Sequence, residues 1–188
     1  MSGSSISMKV SVEVDEVEAF LKALKRLQAK EVLAGFPQET TEREDEDGKP
    51  AEITNAALGY IHNTGMPELN IPPRPFMVEG IEDARDAITK GMNAAGIAAL
   101  DGNSRAVDMA LHSVGIAAKL GIQKKINDGP FEALAESTLK ARARRGRKGA
   151  QEELDRRDAG EQPGTESARP LVDTGQLRNA VNYVIREK

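Results

Sequence analysis

Asp173-Thr174-Gly175, preceded by the apolar Pro170-Leu171-Val172, has the lettering of an aspartic-protease loop. That chemistry needs two such carboxylates face to face, because one shared proton lets one act as base and the other as acid. The chain carries a single copy, so the reaction would require a homodimer of the retroviral type. A subunit of that kind continues past its triplet into supporting strands and a helix, and only thirteen residues follow Gly175. A dimeric aspartic protease using Asp173 is therefore the remote reading. The nearer one is a structural turn, in which Asp173 or Thr174 caps Gly175-Gln176-Leu177-Arg178 by offering its side-chain oxygen to free backbone N–H groups.

The remaining reactive residue types form no catalytic pattern. His62 and His112 fall on separate expected helices, and neither belongs to a His-Glu-x-x-His arrangement. His112 sits near the border of an apolar face and reads as a partly buried, hydrogen-bonded residue. The sequence has no Gly-x-Ser-x-Gly elbow and no glycine-rich phosphate loop. Without cysteine there are no disulfides, thiolate zinc sites or cysteine nucleophiles. No catalytic, metal or cofactor-binding residue is expected, and no enzyme.

Charge is the other resource. Residues 38–52 (QETTEREDEDGKPAE) are dense in acid and nearly devoid of apolar side chains, which predicts a mobile, solvated loop. The spacing of a calcium-binding loop is missing from it. Six cations stand between positions 140 and 148, namely Lys140, Arg142, Arg144, Arg145, Arg147 and Lys148. They could form a solvated face, meet an acidic partner surface or contact phosphates, though no aromatic residue is interleaved for base stacking. Glu152, Glu153 and Asp155 follow closely enough to neutralise much of the run.

These residues must be held by a frame that composition bounds. With 188 residues, 39% hydrophobic and only 3% aromatic, the expectation is one domain over 1–188 with a thin aliphatic core. The formal net charge of −4 argues against a protein whose main task is gripping nucleic acid. MSGSSISMKV lacks the pattern of a signal peptide, and no apolar run has the length of a membrane span, so a soluble protein is expected. Lys9–Val14 alternates as a strand. Asp15 then opens a helix whose face would hold Val17, Phe20, Leu21, Leu24 and Leu27, and Glu31–Phe36 reads as a second strand.

Ile53–Asn63 suits a short helix closed by Gly65, and the prolines of Met66–Phe76 predict a rigid extended crossing. A helical pattern follows over 76–100, with Val78, Ile81, Ala84, Ile88 and Met92 on its face. Another, capped by Ser104, runs to about Asn127 with Val107, Leu111, Val114, Ala118 and Ile122 inward. Its glycines and alanines suit the close approach of another backbone. Leu134–Arg147 begins as a helix capped by Ser137 or Thr138, and 151–168 reads as an irregular arm, so that 140–168 forms a polar basic and acidic arm. Val181–Arg186 alternates as a final strand.

Three segments, in this order, resemble tail-completion or neck proteins of tailed bacteriophages, a family also called minor tail or virion-morphogenesis proteins. Ile61-His62-Asn63-Thr64-Gly65 followed by Ile71-Pro72-Pro73-Arg74-Pro75-Phe76 is similar to the family's helix end, Ile-Pro-x-Arg-Pro-Phe passage and long helix. Ser137-Thr138-Leu139 with Arg142 resembles its Leu-x-x-x-Thr-Leu-x-x-Arg piece. Pro170-Leu171-Val172-Asp173-Thr174-Gly175-Gln176-Leu177 resembles its Pro-Leu-x-Asp-Thr-Gly-x-Leu. Thr64 and Ala180 depart from the commoner residues, and the acidic loop looks like an insertion.

The resemblance implies an α+β fold, a small antiparallel sheet packed against two or three helices with extended loops or arms. It also implies a non-enzymatic virion protein of the tail or neck, made in the host cytoplasm, that completes the tail and joins it to the head. The partners implied are further copies in a hexameric ring, a head-completion or connector protein, and a tail-terminator or tail-tube protein, with DNA passing nearby and no membrane. Ile71, Pro72, Pro73, Arg74, Pro75 and Phe76, with the cations of 140–148, are the expected assembly interface. The alternative is a packaging or connector-associated protein that contacts nucleic acid through that basic run.

Overall fold

The computed structural model describes residues 14–45 and 47–188. The expected strand Lys9–Val14 lies outside them except for Val14, which opens helix α1 (Val14–Ala29). Ala23 and Leu27 make its core contacts, whereas Val17 and Leu21 stay exposed. The chain passes directly into β1 (Lys30–Gly35), which pairs antiparallel with the C-terminal β2 (Asn182–Glu187) in a register running from Lys30–Glu187 to Gly35–Asn182. Two strands alone are marginal in water. Here Val32 and Ile185 pack onto one core cluster and Ala34 onto another, so helices carry the sheet.

Those helices are α2 (Asn55–Thr64), α3 (Phe76–Asp83), α4 (Arg85–Leu100) and α5 (Ser104–Asp128). The single expected helix over 76–100 is thus two, broken at Ala84 (φ −92°, ψ 3°). Asn103 rather than Ser104 caps α5, its side chain accepting from Ala106 N at 3.0 Å. The inward face of α5 is the expected one: Val107, Leu111, Val114, Ala118 and Ile122 are buried. The expected face of α3 and α4 is inward only in part, at the half-buried Ala84 and Ile88. Val78 is 68% exposed and Met92 44%, while Ala95, Ala98 and Ala99 are buried.

Close packing explains the inversion. A Cβ on Gly121 of α5 would stand 2.2 Å from the Gly80 carbonyl oxygen of α3, and one on Gly80 would stand 2.6 Å from Ile122 Cα. At that separation the backbones touch, and larger residues must turn outward. Gly115 similarly admits the Tyr183 ring of β2.

The polar region 140–168 is irregular only in part: it is helical as far as Asp158 apart from the turn at 145–147, and 159–168 lack a helix or strand, as expected. It forms α6 (Glu136–Arg144) and α7 (Lys148–Asp158), closed over Leu134, Leu139, Ala150, Leu154 and Ala168. Neither Ser137 nor Thr138 caps α6; Ala135 stands at that position without a side-chain bond. Glu153, 1% exposed, organises the unit by accepting from Gly164 N (2.7 Å), Arg157 (2.9 Å) and Arg156 (3.1 Å). It therefore serves its own helix rather than neutralising the run before it.

A short helix α8 (Gln176–Ala180) leads into β2. Eight helices and a two-stranded antiparallel sheet among the described residues make the fold α+β. None of those helices is long and apolar enough to cross a membrane.

Candidate functional site

The proline crossing is built by its turns. Gly65 ends α2 at φ 79°, and a Cβ there would lie 2.9 Å from Pro73 N, so a glycine is needed on both counts. Met66 and Ile71 bridge across a tight turn with Asn70 at φ 53°. Arg74 N then donates to His62 O at 2.8 Å, and Phe76 N to Arg74 O at 2.7 Å, a three-residue turn about Pro75 that launches α3. The stretch is therefore strapped along α2. Phe76 is fully buried and packs edge-on against Phe36 at 6.4 Å.

A cleft of about 760 Å³ opens beside this strap. Its walls combine Pro72, Pro73 and Arg74 of the crossing, Leu134, Thr138 and Arg142 from α6 and its approach, and Leu171, Asp173 and Leu177 around the Asp-Thr-Gly turn. Segments more than a hundred residues apart in sequence thus meet on one surface. Leu58 and His62 from α2, Arg43 from the acidic loop and Glu132 also line it, and sequence reasoning assigned these four no part in a site. Only the tertiary path of the crossing brings them there.

The expected interface residues separate into distinct environments. Ile71 and Pro72 are half-buried, and Pro73 and Pro75 exposed. Arg74 is 5% exposed and Arg142 9%, so neither lies on an outer docking face. Arg142 donates to the carbonyls of Arg169 (2.8 Å), Pro170 (2.9 Å) and Val172 (3.0 Å), which ties α6 to the chain before Asp173. Lys140 pairs with Glu136 one turn away. Arg144 and Lys148 are exposed. Arg147 donates to Asp173 at 2.9 Å, and Arg145 lies 3.1 Å from its other oxygen. The basic run is therefore no continuous cationic face.

Asp173 does not cap its turn. Thr174 Oγ1 accepts from Gln176 N at 3.3 Å, and Gly175 supplies the left-handed backbone at φ 81°. Burial alone would raise the Asp173 pKa, but the Arg147 hydrogen bond and the charges of Arg142, Arg145 and Arg147 outweigh it and hold the carboxyl below its ordinary value. A proton-sharing pair requires the opposite environment.

The acidic loop is exposed over 47–50, as expected of a solvated loop, and is tied into this region at its first half. Gln176 exchanges two bonds with the Glu44 backbone, Thr40 Oγ1 donates to Ala180 O at 2.7 Å, and Asn55 Nδ2 donates to Glu42 O at 2.8 Å.

Two residues that line the cleft carry enclosed, unsatisfied polar atoms. Arg74 Nε is buried with no hydrogen-bond partner, and His62 Nδ1 is likewise buried and unpartnered among the described residues. Burial lowers the Arg74 pKa, with Glu132 the anion opposing it. His62 falls to about 4, through burial first and then the charges of Arg74, Arg142 and Arg43, so its imidazole is neutral at pH 7. The cleft thus offers positive charge and hydrogen-bond donors between apolar walls.

His112, the other histidine, is exposed rather than partly buried, and its Nδ1 lies 3.1 Å from the Tyr183 hydroxyl, away from the cleft. No family model, curated protein or solved structure matches the chain.

Proposed function

We propose that this chain is a structural virion protein of a tailed bacteriophage, acting at the head–tail junction to complete the tail and join it to the head connector through protein–protein contacts. The observation that carries the reading is the meeting of all three family-like segments around one cleft. Sequence motifs that converge in space have a common reason to be there, whereas chance likenesses would scatter. A homo-oligomeric ring, hexameric by the same resemblance, accords with the apolar side chains that α5 turns outward at Met109, Ile116 and Leu120.

The nucleic-acid reading loses support from the same geometry. Arg142 is spent on backbone carbonyls, Lys140 pairs with Glu136, and Arg145 and Arg147 engage Asp173. Too few cations of the run share a face to track a phosphate backbone.

The test is genetic. Deleting the reading frame from the phage that encodes it should leave filled heads and separate tails, visible by electron microscopy, with joining restored by adding the purified chain. Normally joined particles in the deletion strain would end this reading.

A further inference from the structure

A buried guanidinium costs several kcal/mol of lost hydration unless an anion or a set of acceptors compensates it. Arg142 and Arg74 are both buried at the cleft, and the contrast between them is informative. Arg142 is compensated by its three carbonyls. Arg74 is even less exposed, yet among the described residues it has no side-chain hydrogen bond and no ion pair within contact distance, and its Nε is fully enclosed. His62 lines the same cleft, has an enclosed and unpartnered Nδ1, and accepts a bond at its carbonyl from the Arg74 backbone. Glu132, the anion that acts on Arg74, lines the cleft but forms no ion pair with it within contact distance, and Asp173 is already engaged by Arg145 and Arg147. Around these polar groups the walls are Leu58, Ile71, Leu134, Leu171 and Leu177 with prolines.

We infer that the cleft receives an extended peptide segment of a partner protein, and that Arg74 and His62 bind the carboxylate of an acidic residue in that segment while its apolar neighbours lie against the leucine and proline walls. The inference rests on the proposed role in virion assembly, which supplies a protein as the partner. A guanidinium binds a carboxylate through paired N–H donors, and a neutral imidazole adds a donor without repelling the arginine. The volume suits a few residues of chain rather than a globular surface. The prolines contribute few backbone donors, so selectivity falls to side chains.

Titration calorimetry of the full chain with the blocked peptide acetyl-Leu-Glu-Leu-Pro-amide, against its Gln counterpart, tests this. The acidic peptide should bind saturably, and the Gln peptide at least about tenfold more weakly, as loss of a charge-assisted pair implies. Arg74→Gln should abolish the difference, and Arg74→Lys should retain part of it. Should either variant fail to fold by circular dichroism, shifts of the Arg74 Nε–H and His62 imidazole signals in the unchanged protein on adding peptide decide the matter. Equal binding of both peptides, or no perturbation of those signals, overturns the inference. Displacement of the peptide by a short duplex DNA, dependent on Arg74, overturns it in favour of a phosphate ligand. Failure here with head–tail joining still dependent on the chain would leave the proposed function standing. Peptide binding without such dependence would do the reverse.

Discussion

At the scale of single residues, charge inside the fold is used to fasten one segment to another, and Asp173 shows this clearly. Its letters suggested a cap, for which Asn would serve equally well. The structure gives it to Arg145 and Arg147 instead, so the charge itself matters. Asp173→Asn should therefore lower stability by about 2 kcal/mol at pH 7, since it leaves two guanidinium groups without their anion in a half-buried place. The carboxyl has a folded pKa below its unfolded value near 3.8, so its stabilisation is present above that value and fades as pH falls through the folded pKa. Urea unfolding of both proteins should show a gap at pH 7 that narrows as pH falls below 3.8 and closes once the folded carboxyl is protonated. A gap that persists in acid would mean that shape rather than charge is at stake.

At the scale of elements, the sequence pattern disclosed helix periods but not which side would face inward. In α5 the inward residues are large and aliphatic, so the period and the face coincide. In α3 and α4 the packing side is made of Gly80, Ala95, Ala98 and Ala99, and a hydrophobicity pattern points to Val78 and Met92 because it weighs size. Gly121→Ala or Gly80→Ala should accordingly destabilise by about 1–3 kcal/mol through forced separation of α3 and α5. Gly96→Ala, with open space around the added methyl in mid-helix, should stabilise by about 0.5–1 kcal/mol. Thermal melts of the three variants check the ordering, and a neutral Gly121→Ala would show that the helices are not in backbone contact. The unit α6–α7 was hidden for another reason. Its stabilising contacts are the inward Glu153 with Arg156 and Arg157, polar letters that read as solvated until their partners are known. The cleft was half legible. The three motifs were visible as letters, but that Arg74 would be enclosed and His62 would lie beside it depends on the path from Gly65 to Phe76.

At the scale of the whole molecule, α5 is apolar on two opposite sides. Val107, Leu111, Val114, Ala118 and Ile122 face the core, and Met109, Ile116 and Leu120 form a stripe on the far side, 62%, 46% and 56% exposed. Positions seven and eleven apart fall within about 20° of one line on a helix, so the three residues are aligned rather than scattered. A central helix with two apolar faces is normally covered on both, and within the described residues nothing covers the second. A ring of identical chains would cover it, each buried aliphatic side chain contributing about 1.5–3 kcal/mol to the contact. Ile116→Asp combined with Leu120→Asp should convert the assembled form to monomer in light scattering after gel filtration. Both side chains are solvent-facing in the single chain, so its melting temperature at low concentration should move by only a few degrees. An unchanged mass for the double variant would place the subunit contact elsewhere and leave the stripe without a role in self-association.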